Sequence, residues 1–272
     1  MSNTLVLGAV AYDAKVVPIW DGFLAWFARR GFAFDYVLYS NYERQVEAHL
    51  RGDFHVAWNS PLAWIQAQRL ARKHGRDAQA IAMRDTDRDL TSVVLVREDS
   101  PVKSLADLRG RKVGVGAADS PQATLIPLLA FAEAGVEVDV VRHDVLLGKH
   151  GDHIGGERDA VKALLAGKVD AACVIDGNRL AFAREGLGGT RVVATTGAYD
   201  HCNMTILDGA PLPEVARFRE LLLAMSYDDP EVRPLLDMEG LKVWQPGRTS
   251  GYALLERACD RFGTLDAWLA AR

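Results

Sequence analysis

The chain has 272 residues, 49% hydrophobic and 25% charged, and carries a formal charge of −4. That composition excludes disorder and suits one large core or two modest ones. Charges of both signs are interspersed without the basic stripe that a phosphate backbone attracts, so nucleic acid is not an expected partner.

Leu5 to Val10 is a short apolar run closed by Ala11-Tyr12-Asp13, and from Ile19 to Arg30 apolar residues recur at helical spacing up to Gly31. That predicts strand, loop, helix. Phe34 to Leu38 predicts a second strand, Tyr42 to Leu50 a second helix stopped by Arg51-Gly52-Asp53, and Phe54 to Trp58 a third strand. Behind Asn59-Ser60-Pro61 a third helix runs to Lys73. Strands alternating with helices predict a parallel sheet with right-handed crossovers.

After Gly75, Ala78 to Met83 and Ser92 to Arg97 predict two strands joined by the charged segment Arg84 to Asp89. Its simplest reading is a solvated loop; in the alternative, Thr86 and Arg88 overhang a ligand. Ser104 to Leu108 predicts a helical turn, Lys112 to Gly116 a strand, Pro121 to Glu133 a helix and Val136 to Val141 a strand. Asp159 to Ala166 then predicts a helix and Ala171 to Ile175 a strand. The chain is expected to cross back at Val192 to Thr196, and Pro211 to Arg272 to be mostly helical.

These elements predict an α/β protein of two lobes, each a mixed sheet flanked by helices. Residues 1–91 with 198–272 form the first lobe and 92–197 the second. In open α/β sheets ligands sit outside the carboxyl ends of strands, so a ligand cleft is expected between the lobes. No apolar run approaches the roughly 20 residues that span a bilayer, so membrane insertion is not expected. Met1 to Gly8 shows no basic region, sustained apolar stretch or small-residue cleavage site, and the chain as written reads as cytoplasmic. A chain whose leader had been removed would look the same and would be periplasmic. Cys173, Cys202 and Cys259 lie far apart without Cys-x-x-Cys spacing, which predicts neither disulfides nor structural zinc, and no cofactor is expected.

Three segments carry a resemblance. Asn41 to Pro61 (NYERQVEAHLRGDFHVAWNSP), Thr91 to Val115 (TSVVLVREDSPVKSLADLRGRKVGV) and Arg158 to Ala172 (RDAVKALLAGKVDAA) occur in that order. Together they resemble substrate-binding proteins of phosphate, phosphite and phosphonate ABC transporters, in the type II periplasmic-binding-protein superfamily. The resemblance implies a two-lobed fold that traps a small molecule by hinge closure, with an ABC permease as partner. It also implies that the ligand's anionic head sits at a helix N-terminus in the second lobe, on a Ser/Thr-rich turn. The matching turn is Gly116 to Thr124, with Ser120 as N-cap, Pro121 at the first helical position and Gln122 beside them.

This turn departs from the family pattern. Its hydroxyls are thinned out and Asp119 adds a negative charge. Where the family often carries a histidine before Asp-Ala-Ala, this chain has Gly155-Gly156-Glu157-Arg158-Asp159. Asp119 and Glu157 both oppose a phosphonate dianion, so the expected ligand is neutral, zwitterionic or amine-containing.

The resemblance further implies ligand contacts at Tyr42, Asn59, Ser60 and Asp176. Each has a plainer job available: Tyr42 as a staple at a helix start, Asn59 or Ser60 as a helix cap, Asp176 as a strand-end turn residue. Tyr12 and Asp13 stand at the mouth of the first strand, and Trp64 suits core or site equally. The histidine-rich segment Arg142 to Glu157 offers His150, His153 and Glu157, either as metal ligands or as hydrogen-bonding groups. Because Gly155-Gly156 is expected to break the helical register between His153 and Glu157, no metal is expected there.

Two functional classes remain: a solute-binding protein, and an enzyme on the same scaffold, decarboxylase- or lyase-like or in cofactor-precursor biosynthesis. In the second, His153 or Glu157 is the general acid or base and the Ser120 helix terminus stabilises developing negative charge. Cys202 as nucleophile has only His201 in support, and adjacent side chains rarely point the same way. No Ser-His-Asp elbow, Walker loop or dinucleotide fingerprint occurs.

Overall fold

The structure, a computed structural model, describes residues 4–144 and 153–272, and the chain folds as two compact units. The first comprises Met1–Arg88, Asp200–Tyr252 and Asp266–Arg272; the second comprises Asp89–Tyr199 and Ala253–Leu265.

The first unit is built on a six-stranded mixed sheet. Strands β1 (Leu5–Val10), β2 (Phe34–Tyr39) and β3 (Val56–Asn59) run parallel, with β1 between the other two. On the far side of β3, β10 (Asn203–Leu207), β4 (Ala78–Arg84) and β11 (Trp244–Pro246) continue the sheet in antiparallel fashion. Helix α1 (Val16–Ala28) has no side-chain cap, and what holds it is burial of Ile19, Trp20, Phe23, Trp26 and Phe27. Phe27 packs 4.7 Å from Phe34, which stacks on Phe218 of α7 (Leu212–Leu223) at 5.8 Å. Each such ring contributes about 1.5–3 kcal/mol on full burial.

Helix α2 (Tyr42–Arg51) starts where Asn41 Oδ1 accepts from the Arg44 amide at 2.9 Å, so the cap is Asn41 and Tyr42 is the first helical residue. It ends at Gly52, whose φ of 82° only glycine adopts cheaply. Helix α3 (Pro61–Lys73) begins as expected, with Ser60 Oγ accepting from the Ala63 amide at 3.2 Å and Pro61 in the first turn. Trp64 resolves to core, fully buried.

The C-terminal stretch is less uniformly helical than its pattern implies. Besides α7, α8 (Arg233–Glu239), α9 (Ala253–Phe262) and α10 (Asp266–Ala270), it contributes β11, whose Trp244 meets Phe23 and Trp58 edge-on at 6.2 and 5.8 Å. Just after β11, the Gly247 amide donates to Ile81 O at 3.1 Å, and a Cβ on Gly247 would lie 2.1 Å from the Ala80 carbonyl oxygen. That neighbour is backbone and cannot rotate away. Gly247→Ala is expected to cost about 1–3 kcal/mol, read as a lower urea midpoint at unchanged slope.

The second unit holds a five-stranded sheet ordered β7 (Asp139–Arg142), β6 (Lys112–Val115), β8 (Ala171–Ile175), β5 (Ser92–Arg97), β9 (Thr190–Thr195). β6 is parallel to β7 and β8, whereas β5 is antiparallel to β8 and β9. Val192 to Thr195, expected as a crossing, therefore belongs to the edge strand of this sheet. Alternate residues of β5 feed two cores. Val93 and Leu95 pack with Ala160, Val161 and Leu164 of α5 (His153–Leu165), and Val94 and Val96 pack with Phe131 of α4 (Ile126–Glu133).

Helix α5 runs through Gly155 and Gly156, contrary to the expected break. Two interior glycines cost about 1 kcal/mol each. The burial of Ala160, Val161 and Leu164 offsets that cost, and Glu157 pins the first turns to the sheet.

Candidate functional site

In the second unit the turn after β6 is buried and polar. Ser120 Oγ accepts from the Ala123 amide at 3.2 Å, Thr124 Oγ1 donates to Ala117 O at 2.8 Å, and a π-helical turn, Pro121–Leu125, leads into α4. Asp119, Ser120, Gln122 and Thr124 are all buried. Ser92 Oγ donates to Gln122 O at 2.6 Å. Having only one proton, Ser92 then accepts from the Tyr199 hydroxyl 2.8 Å away. Gln122 Oε1 is buried with no hydrogen-bond partner among the described residues.

Glu157 is fully buried, and its Oε2 accepts from the Ile175 amide at 2.9 Å and from Asn178 Nδ2 at 3.0 Å. One carboxylate oxygen thus ties α5 to the end of β8. Asp176, the first residue of α6 (Asp176–Arg184), is part-exposed and accepts from Arg179 Nε at 2.8 Å. His150 lies outside the described residues, and of His153 the structure describes only its place at the start of α5.

In the first unit a second polar cluster gathers at the carboxyl ends of β1, β3 and β4. The segment read as a solvated loop contains a 3-10 turn, Asp85–Asp87, with Asp87 only 1% exposed. Its partners come from distant parts of the chain, which is why local composition misleads. Arg84 Nε and Nη2 donate to Asp87 Oδ2 and Oδ1 at 2.6 and 2.9 Å, and Nη1 donates to Glu239 O at 2.6 Å with Glu239 Oε1 at 3.4 Å. The guanidinium also lies 5.2 Å from the Trp58 ring. Burial alone would raise the Asp87 carboxyl, but Arg84 outweighs it and holds the group well below the usual carboxylate range. Burial pushes Glu239 up to about 7, against the lowering pull of Arg84.

His201 and Cys202 complete the cluster. Their side chains meet, His201 Nδ1 lying 3.1 Å from Cys202 Sγ, so the expectation that neighbours diverge fails here. The cause is Asp87: its backbone carbonyl accepts from the His201 amide at 2.8 Å while its Oδ1 accepts from the Cys202 amide at 3.1 Å, bending the chain around one residue. The nucleophile reading gains nothing from this contact. Burial, then Asp87, push the Cys202 thiol well above its ordinary value.

Behind the cluster runs a directional hydrogen-bond chain. Gln45 Nε2 donates to Asn59 Oδ1 (2.9 Å), Asn59 Nδ2 to Thr205 Oγ1 (2.8 Å), and Thr205 Oγ1 to Asn203 Oδ1 (2.6 Å). Asn203 Nδ2 then donates to the Tyr252 hydroxyl (2.7 Å), which donates to His201 O (2.8 Å). Asn59 is fully buried and engaged at both ends of its amide, and Ser60 caps α3. Arg88 donates to Gln245 Oε1 at 3.2 Å and to Pro246 O, bracing β11. Asp13 is exposed and accepts from the Lys15 amide at 2.8 Å.

Tyr12 and Tyr42 do approach the cluster. Tyr12, 43% exposed, has its phenol raised by burial and by Glu239 and Cys202; Tyr42 is raised by burial, then by Cys202 and Tyr12. Sequence reasoning missed Arg84, Asp87 and Glu239. The only local sign was the i,i+3 spacing of Arg84 and Asp87, and nothing marks Glu239.

The protein family described as "ABC transporter, phosphonate, periplasmic substrate-binding protein" matches residues 9–252. The chain belongs to this family. Its members are periplasmic substrate-binding components of ABC transporters, which lends no support to a cytoplasmic location. No curated protein matches the chain. Among solved structures, PhnD1 from Prochlorococcus marinus in complex with methylphosphonate is similar over 96% of this chain and 98% of its own, with TM-score 0.70 and 18% identity. A Xanthomonas citri protein bound to ATP is similar over 95% and 99%, again with TM-score 0.70 and 18% identity. The aliphatic sulphonate binding protein SsuA of Escherichia coli covers 99% and 94%, with TM-score 0.60 and 17% identity. At such identities these likenesses bear on the fold, the two-lobed α/β fold of type II periplasmic binding proteins. Among the described residues no helix is long and apolar enough to cross a membrane.

Proposed function

We propose that this family member serves an ABC permease by binding a small polar molecule that carries an amine or comparable hydrogen-bond donors, in preference to a free phosphonate dianion. The observation that carries the reading is the sign of the charge beside the Ser120 turn: Asp119 and Glu157 are buried carboxylates. Among the described residues no lysine or arginine is buried, and the deepest arginine cluster has Arg84 already neutralised by Asp87 and Glu239. An anion entering such surroundings meets acceptors where it needs donors; an ammonium group meets what it needs. The buried Gln122 Oε1 is a further acceptor of the same kind.

The test is calorimetry with methylphosphonate, inorganic phosphate and a set of zwitterionic and amine-bearing metabolites. Binding is expected only among the amine-bearing compounds. Glu157→Gln, which keeps an acceptor for the Ile175 amide, is expected to weaken that binding at least about tenfold, the worth of one charge-assisted hydrogen bond. Tight binding of methylphosphonate with no response to amines would overturn the reading.

A further inference from the structure

Within the first unit three donor atoms of different chemistry converge: His201 Nδ1 and Cys202 Sγ from adjacent residues, and Asp87 Oδ1 from more than a hundred residues away in sequence. We propose that they form a binding site for a borderline-soft divalent transition ion of the zinc type, separate from the Ser120 turn. The geometry is the main support. His201 Nδ1 lies 3.1 Å from Cys202 Sγ and 3.5 Å from Asp87 Oδ1, and all three donors fall within 4.8 Å of one another. Zinc bonds of about 2.3 Å to sulfur and about 2.0–2.2 Å to nitrogen and oxygen, set at tetrahedral angles, separate donor atoms by about 3.3–3.6 Å. His201 Nδ1 thus stands near ligand spacing from both partners, and closure of the Cys202 and Asp87 side chains onto the ion completes the set.

The surroundings suit such a site as well. Ligating carboxylates and imidazoles are held by outer partners that fix their orientation. Here Arg84 and the Cys202 amide hold the Asp87 carboxylate, and Tyr252 fixes the main chain that carries His201. The thiol, imidazole and carboxylate set selects zinc-like ions over magnesium or calcium, which take oxygen. Binding replaces the Cys202 S–H bond by an Sγ–metal bond, and the proton leaves to water. Arg84 opposes a second cation, but the thiolate so formed and the Glu239 carboxylate beside Arg84 offset it. With three protein donors the fourth position is left for water or a ligand atom, and the His201 side chain, 22% exposed, opens a way in.

The experiment titrates the chelator-treated full chain with Co²⁺. One equivalent is expected to bind with a near-ultraviolet thiolate-to-cobalt band that Zn²⁺ then displaces. Cys202→Ser is expected to lose the band while Cys173→Ser keeps it. His201→Ala, at a part-exposed side chain, is expected to weaken zinc at least about tenfold while the metal-free variant keeps the wild-type circular-dichroism spectrum. Absence of the band in wild type, or its survival in Cys202→Ser, would overturn the site.

Discussion

Arg84→Met is expected to cost about 3–5 kcal/mol of folding stability, the largest loss from a single substitution near the first-unit cluster. Methionine preserves an apolar stem against Trp58 but removes the guanidinium donors that face Asp87 and Glu239. Asp87 would keep a charge at 1% exposure with only His201 and two backbone amides, those of residues 84 and 202, to answer it. Most of the loss is thus the penalty of a stranded carboxylate rather than the worth of the ion pair. For that reason Arg84→Met combined with Asp87→Leu is expected to be more stable than Arg84→Met alone. Urea denaturation of both variants decides the matter: a loss below about 1 kcal/mol in the single variant would mean that water reaches Asp87 and that the cluster is not a buried one.

The same cluster shows where sequence reading stops. The alternation of strands and helices, the caps at Ser60 and Ser120, and the ordered segments from Asn41 to Ala172 are local patterns, and local patterns were enough to read a two-lobed α/β fold of this family. Ser120 indeed caps its turn and Pro121 occupies the first position. Partners separated by long stretches of chain leave no such mark. Arg84 to Asp89 is charged enough to read as solvated, yet Asp87 within it is buried, and Glu239 and Gln245 arrive from the C-terminal segment to engage Arg84 and Arg88. β11 has three residues, too few for a period-two pattern to register. Gly155-Gly156 reads as a break because glycine disfavours helix, yet packing of the next two turns outweighs that preference. The candidate site divides the same way. Asp119, Ser120, Gln122 and Glu157, placed by motif, all lie in the second unit and are buried, whereas Asn59, Ser60 and Arg88 serve the scaffold around the first-unit cluster.

Two buried groups are expected to pull stability in opposite directions across mildly acidic pH, and single substitutions should expose each slope. Glu239 ionises near 4.5 when unfolded and at about 7 when folded, so its contribution is fully present below pH 4.5 and is lost as pH rises through 7. His49, buried and stacked on Phe54 at 4.7 Å, is lowered from 6.5 to about 4, first by burial and then by Arg76 and His55. Its contribution is present above pH 6.5 and is lost as pH falls through 4. Each shift corresponds to about 3 kcal/mol, so in wild type the two nearly cancel between pH 4.5 and 6.5. His55 and His143, also lowered by burial, tilt the balance modestly toward neutral pH. Glu239→Gln removes the rising arm, and its stability is expected to fall steeply on acidification. His49→Gln removes the falling arm, and its stability is expected to rise on acidification toward pH 4.5. Below pH 3.8 all three proteins should lose stability together as Asp87 is forced to take a proton against Arg84. Urea midpoints measured from pH 4.5 to 7.5 distinguish these outcomes, and parallel curves for the two variants would show that neither group carries the pH dependence.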